Sequence, residues 1–181
     1  MNKKQFNDKL GTIIYWLKEL KAFRLEEDTF SLRENKMRGI MNEIMEVYLA
    51  IQADSSLKSD PDFQRFLNDS SILLCRTMIS DMPRYISSVE RILTFTLEPG
   101  EWVKVCWRRS AIEAIKELYP NTVFEQYFSE IDTEDDLDLI LESRGKKEGP
   151  VSEEEIPNGI PSSHWWWWGE EPEESDYEIA G

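Results

Sequence analysis

Apolar residues recur at helical spacing almost from the start of the chain. Phe6, Leu10, Ile13, Leu17 and Leu20 lie three or four positions apart, and Ile14 and Trp16 widen the same stripe. That spacing marks one buried face of a helix. A second stripe runs through Met37, Ile40, Met41, Ile44, Val47, Tyr48 and Ile51, with charges on its far side. Gly39 weakens this helix near its start, because glycine is a poor helix former.

Ser59-Asp60-Pro61 is a strong helix opening, since Pro tolerates the first helical position and Ser or Asp can cap it. The pattern after it passes through Phe63, Phe66, Leu67, Leu74 and Met78. Asp81-Met82-Pro83 repeats the signal before Tyr85, Ile86, Val89, Ile92 and Leu93, while the β-favouring Thr94-Phe95-Thr96 leaves the end of that helix open. A turn is expected at Glu98-Pro99-Gly100. Trp102, Val105, Cys106, Ile112, Ile115 and Leu118 then predict a helix up to Tyr119-Pro120, with a strand over Trp102 to Trp107 as the competing reading. Val123 to Phe128 predicts a short aromatic helix. Thr133-Glu134-Asp135-Asp136 opens a final one over Leu137 to Glu142, its acids suiting a helix N-terminus.

Period-two series, βαβ alternation and repeats of ~20–50 residues do not occur. The expected fold is all-α: a bundle of about six helices over residues 1–143, followed by a largely disordered acidic C-terminal tail over residues 144–181.

The chain has 181 residues, room for one domain with a proper core plus a tail. Its formal net charge of -15 disfavours nucleic acid and anionic membrane as partners. That charge is unevenly placed. Residues 1–124 hold 18 basic and 18 acidic residues, whereas residues 125–181 hold 3 basic and 18 acidic, so the last third carries all of it (3 − 18 = −15). A neutral body ends in an acidic segment.

Within that segment Pro150, Pro157, Pro161 and Pro172 accompany acid runs and few aliphatics, a composition that does not repay its ordering entropy by burial. Yet it contains Ser162-Ser163-His164-Trp165-Trp166-Trp167-Trp168-Gly169-Glu170-Glu171, and further on Asp176-Tyr177-Glu178-Ile179. Covering a Trp removes ~150–250 Å² from water, several kcal/mol each at ~25 cal/mol/Å² before entropic costs. Two uses compete. The Trp run either folds back into a groove on its own helical body, or serves as a short linear motif that docks a protein partner with a hydrophobic groove and a basic rim. In the second case Trp165, Trp166, Trp167, Trp168, Glu170, Glu171 and Tyr177 make the contact. Both hold if the motif is self-inhibited. Insertion at a membrane interface is a third use, opposed by the surrounding Glu residues.

Candidate chemistry is sparse. The one His, His164, lies in the tail, so no Ser-His-Asp or Cys-His pair is expected in the folded core and His164 reads as a packing or rim residue. Asp132-x-Glu134-x-Asp136 matches the start of a calcium loop, but Leu137 replaces the turn Gly and Ser143 the closing Glu. Cys75 and Cys106 have no metal-ligand neighbours at zinc spacing and sit in apolar helical patterns. Glycine-rich phosphate loops are absent. No catalytic residue, metal or cofactor is therefore implied. Lys104, Trp107, Arg108, Arg109 and Lys116 make one stretch basic, either a solvated helix face or a contact for an acidic peptide or nucleic acid. Arg76 to Phe95 also outlines a helix-turn-helix, with little electrostatic support from a neutral body.

The N-terminus is charged and no apolar run reaches the length of a signal peptide or of a membrane span, so a reducing cytoplasm is expected. The functional expectation is a non-enzymatic interaction module of adaptor, assembly-factor or inhibitor (immunity) type. The alternative is a DNA-binding regulator whose basic helix near Arg108-Arg109 is masked by the acidic tail.

Overall fold

The computed structural model describes residues 1–22, 30–77, 80–94, 100–128 and 134–169. Among them the secondary structure is helical, with seven α-helices: α1 (Lys3–Ala22), α2 (Phe30–Ala53), α3 (Pro61–Cys75), α4 (Asp81–Thr94), α5 (Glu101–Leu118), α6 (Val123–Phe128) and α7 (Glu134–Glu148). The expected all-α bundle is found, with one helix more than the six anticipated.

Helix α2 is the hub, packed against α1, α4 and α5, while α3 bridges α1 and α6, and α7 lies on α4. The α1 stripe is buried as its spacing predicts, at Phe6, Leu10, Ile13, Leu17 and Leu20. So is the α2 stripe from Met37 to Ile51. Gly39 has a reason to be Gly: a Cβ there would lie 2.9 Å from the Trp16 ring, so the missing side chain is what lets α1 and α2 approach. Asp60 caps α3, its Oδ1 accepting from the N–H groups of Asp62 (3.0 Å) and Phe63 (3.3 Å), with Pro61 in the first turn.

Helix α4 opens at Asp81 as expected, but that carboxylate is spent elsewhere. It accepts from Arg33 Nε (2.9 Å) and Nη2 (2.6 Å), and Arg33 Nη1 donates to the Leu20 carbonyl at 3.1 Å. One buried bidentate pair thus ties α1, α2 and α4 together. The competing strand over Trp102 to Trp107 is not formed; those residues are the first turns of α5, where Trp102, Val105 and Cys106 share the buried face with Ile112 and Ile115. Helix α7 continues past the expected boundary at residue 143 to Glu148, and Gly149, at φ +75°, ends it by donating its N–H to the Gly145 carbonyl at 2.8 Å.

Residues 149–169 form an irregular strap packed across the bundle. Its two ends are joined where Val151 N–H donates to the Trp167 carbonyl at 2.9 Å. Gly169, at φ +74°, sits against Pro150, where a Cβ would meet the Pro150 nitrogen at 3.2 Å. The expectation of a largely disordered tail therefore divides: this first part follows a packed path, and residues 170–181 lie outside the described residues. No described helix is long and apolar enough to cross a membrane.

Candidate functional site

The strap reaches α5 at a short 3-10 turn, Trp165–Trp167, and there Ser110 gathers three aromatic side chains. Ser110 Oγ accepts from Trp166 Nε1 at 3.0 Å and from Trp167 Nε1 at 2.8 Å, and lies 3.0 Å from His164 Nδ1. A hydroxyl has two acceptor lone pairs and one proton, and indoles only donate. With both lone pairs taken, Ser110 gives its proton to His164 Nδ1. The neutral imidazole then carries its own proton on Nε2, a buried atom without a hydrogen-bond partner. Glu117 Oε1 is 3.9 Å away, too far for a bond.

Stacking extends this centre. The Tyr48 and His164 rings lie 6.0 Å apart and nearly parallel, His164 stacks on Trp166 at 4.9 Å, and the Arg109 guanidinium lies 4.4 Å from the Trp166 centroid. Arg109 is itself held on three sides. Its Nε and Nη2 donate to Asp138 of α7 at 2.7 and 2.9 Å, and its Nη1 donates to Glu113 at 3.0 Å. Buried cations need such matching, and here it also supplies a cation–π contact. Cys106 frames the other edge: its carbonyl accepts from Trp166 Nε1 at 3.1 Å, and its thiol donates to the Trp166 carbonyl at 3.4 Å.

Charge states follow from this burial. Burial pushes the His164 imidazole down to about 4; Glu113 opposes the shift and Arg109 adds to it. His164 is therefore neutral at pH 7. Burial would lower Arg109, but Asp138 and Glu113 overcome it and hold the guanidinium above its usual value. The Glu113 carboxyl, which burial alone would raise, lies below its usual value because of Arg109 and Lys116. Burial raises the Cys106 thiol well above its ordinary range, so it stays protonated.

Trp166 and Trp167 are in the core, Trp165 is half-buried with its ring edge-on to Trp166, and Trp168 is exposed at 38%. The Trp run is thus folded onto its own helical body, an arrangement common to the self-anchored and the self-inhibited readings. Glu170, Glu171 and Tyr177 lie outside the described residues, as does Asp132 of the calcium-like run. His164, expected to be a packing or rim residue of the tail, packs inside the bundle rather than at its rim. The tail carries His164 into the bundle, where it is fully buried beside Ser110. That serine is itself fully buried, and both of its lone pairs are occupied by indole N–H groups, so it has neither a free lone pair nor an open face to offer a substrate. Among the described residues no three His, Cys, Asp or Glu side chains stand close enough to hold a metal ion.

The basic stretch separates by orientation. Arg109 faces inward, and Lys116 Nζ pairs with Glu113 at 3.6 Å. Lys104 and Arg108 instead line a groove of about 360 Å³ between α2, α5 and the strap, together with Arg38, Trp107 and Trp167. Sequence reasoning missed Ser110, Tyr48 and Arg38. The chain matches no family model, no curated protein and no solved structure.

Proposed function

We propose that this protein is a non-enzymatic interaction module in which the helical body and its own docked tryptophan strap form one binding platform. The observation that carries the reading is the closure of both buried indole N–H groups onto Ser110, which makes the strap part of the body. The Trp run then anchors the platform, and what meets a protein partner is the surface that the strap completes beside α5. An adaptor, an assembly factor or an inhibitor of immunity type would use such a surface. A cytoplasmic setting suits the two free thiols, Cys75 and Cys106. The DNA-binding alternative loses support from Arg109, which is committed to Asp138 and Glu113.

Ser110→Ala separates the platform from a self-inhibited motif. The substitution keeps all four tryptophans in the sequence while removing the acceptor that Trp166 and Trp167 share. With wild-type and Ser110→Ala proteins as baits in extracts, the platform reading expects the partner set captured by wild type to be lost or sharply reduced. Capture that increases in the variant would mean that the Trp run acts when released, and unchanged capture would mean that the strap takes no part.

A further inference from the structure

The body matches its buried arginines with carboxylates, Arg33 with Asp81 and Arg109 with Asp138. The groove between α2 and α5 departs from that habit. Arg38 of α2 and Lys104 and Arg108 of α5 line it, and none of the three forms an ion pair with a described residue. The neighbouring Arg91 is drawn off to Glu34 at 3.4 Å. Burial, together with the like charges of Arg38 and Arg91, holds the Arg108 guanidinium below its usual value despite Tyr85 and Glu34. Three cations thus share one cleft of a body that is neutral only in sum.

Most of the remaining lining is apolar, with Asn42 and, on the strap side, Glu155 as its polar members. Trp107 donates its Nε1 proton to Asn42 at 3.0 Å, which sets the angle of its ring, and Val103, Pro157 and Trp167 continue the wall. The volume, about 360 Å³, lies within the roughly 300–1,000 Å³ of ligand sites. A bare phosphate would use the cations and leave the aromatic wall idle. A long polyanion would run past the three cations and meet Glu155 and the -15 net charge of the chain along its length, whereas a short peptide presents only a few carboxylates, within reach of the cations. A peptide that alternates carboxylates with an aromatic or aliphatic side chain uses both halves of the lining.

We infer that the groove framed by Arg38, Lys104, Arg108 and Trp107 is a binding site for an acidic peptide segment of a partner protein, its carboxylates on the three cations and an apolar side chain on Trp107. This rests on the interaction-module reading and supplies its partner class.

The test is fluorescence anisotropy of the full chain with a fluorescein-labelled Glu-Glu-Phe-Glu-Glu-Leu-Glu-Glu peptide at low salt. The expected result is saturable binding, weakened by at least about ten-fold in Lys104→Glu/Arg108→Glu and also reduced in Trp107→Ala, which leaves the charge unchanged. Lys4→Glu/Lys18→Glu, an equal change of charge on α1, should bind like wild type. Thermal unfolding of each variant separates lost binding from lost fold, and Trp107→Ala keeps the test open if the charge reversal unfolds the chain. No saturable binding overturns the proposal. So does equal weakening by the α1 variant, or tighter binding of an oligothymidylate of matched charge. Failure here with the Ser110→Ala capture result intact would discard the groove and keep the platform; loss of both would discard the reading itself.

Discussion

Replacing Ser110 with Ala removes one oxygen and should unseat the strap. In the wild-type centre Trp167 Nε1 has Ser110 Oγ as its acceptor, and His164 Nδ1 has the same atom as its donor. Trp166 keeps a second acceptor, the Cys106 carbonyl at 3.1 Å. The substitution therefore orphans two buried polar groups, each costing ~1–3 kcal/mol, for a total of about 2–6 kcal/mol. Against a total stability of ~5–15 kcal/mol that is a large fraction. It corresponds to a fall in Tm of roughly 4–24 °C for a chain of this size. Urea unfolding followed by tryptophan fluorescence measures it, because the released indoles are among the seven that report the transition. Ser88→Ala is the control. Ser88 is also buried, but its hydroxyl donates to the Tyr85 carbonyl of its own helix at 2.6 Å, so its loss should cost under about 1 kcal/mol. If Ser110→Ala costs no more than Ser88→Ala, the hydroxyl is not the keystone of the strap.

Three further outcomes are expected. Two helix-interior glycines should respond in opposite directions: Gly11→Ala, with nothing within 4 Å of the new Cβ, stabilises by about 0.5–1 kcal/mol, whereas Gly39→Ala drives a Cβ to 2.9 Å from Trp16 and loses that gain or reverses it, as paired denaturation curves would show. In an Ellman assay of the native protein Cys75, the more accessible thiol, should react first. Cys106, buried with its thiol pKa raised, should react only on unfolding, and two fast thiols would contradict the packing around Trp166. The third outcome concerns pH. The His164 imidazole is depressed to about 4 in the fold, so between its unfolded value of ~6.5 and about 4 the unfolded chain binds more protons and stability falls as pH falls. That contribution, roughly 3 kcal/mol, is present above pH ~6.5 and gone near pH 4. His164→Gln, able to accept from Ser110, should flatten this part of the stability profile, and an unchanged slope would place the titration elsewhere.

Most of the bundle was legible because helical periodicity reports burial directly. All five stripe residues of α1 are buried, and the Ser59-Asp60-Pro61 opening is a real cap. The strand alternative at Trp102 failed because its β-favouring residues belong to a longer 3.6-residue period ending at Leu118. The end of α7 was placed too early because Arg144-Gly145-Lys146-Lys147 reads as a stop. Gly145 is instead buried where Trp102 and Gly169 close in, with a Cβ position 3.6 Å from Trp102 and 3.9 Å from the Gly169 Cα. Glycine there serves packing rather than termination. Gly39 was misjudged for the same reason, since an interior Gly looks weak until the facing side chain is known.

The tryptophans announced themselves, but their receptor did not. A serine on an apolar face has no periodicity of its own, and Ser110 is the acceptor on which the arrangement depends. A signal did exist: Cys106, Ser110 and Ala114, each four apart and joined by Ala111, make a stripe of small buried residues on α5, which implies that something bulky packs there. Charge counting missed the site in a different way. An even balance over residues 1–124 suggested a body without electrostatic preference. Folding sorts those charges: carboxylates are drawn to Arg33 and Arg109, whose burial demands them, while Arg38, Lys104 and Arg108 share one cleft without an ion pair among the described residues. A sum of zero thus coexists with a groove in which cations outnumber carboxylates three to one, because burial decides which charges are cancelled.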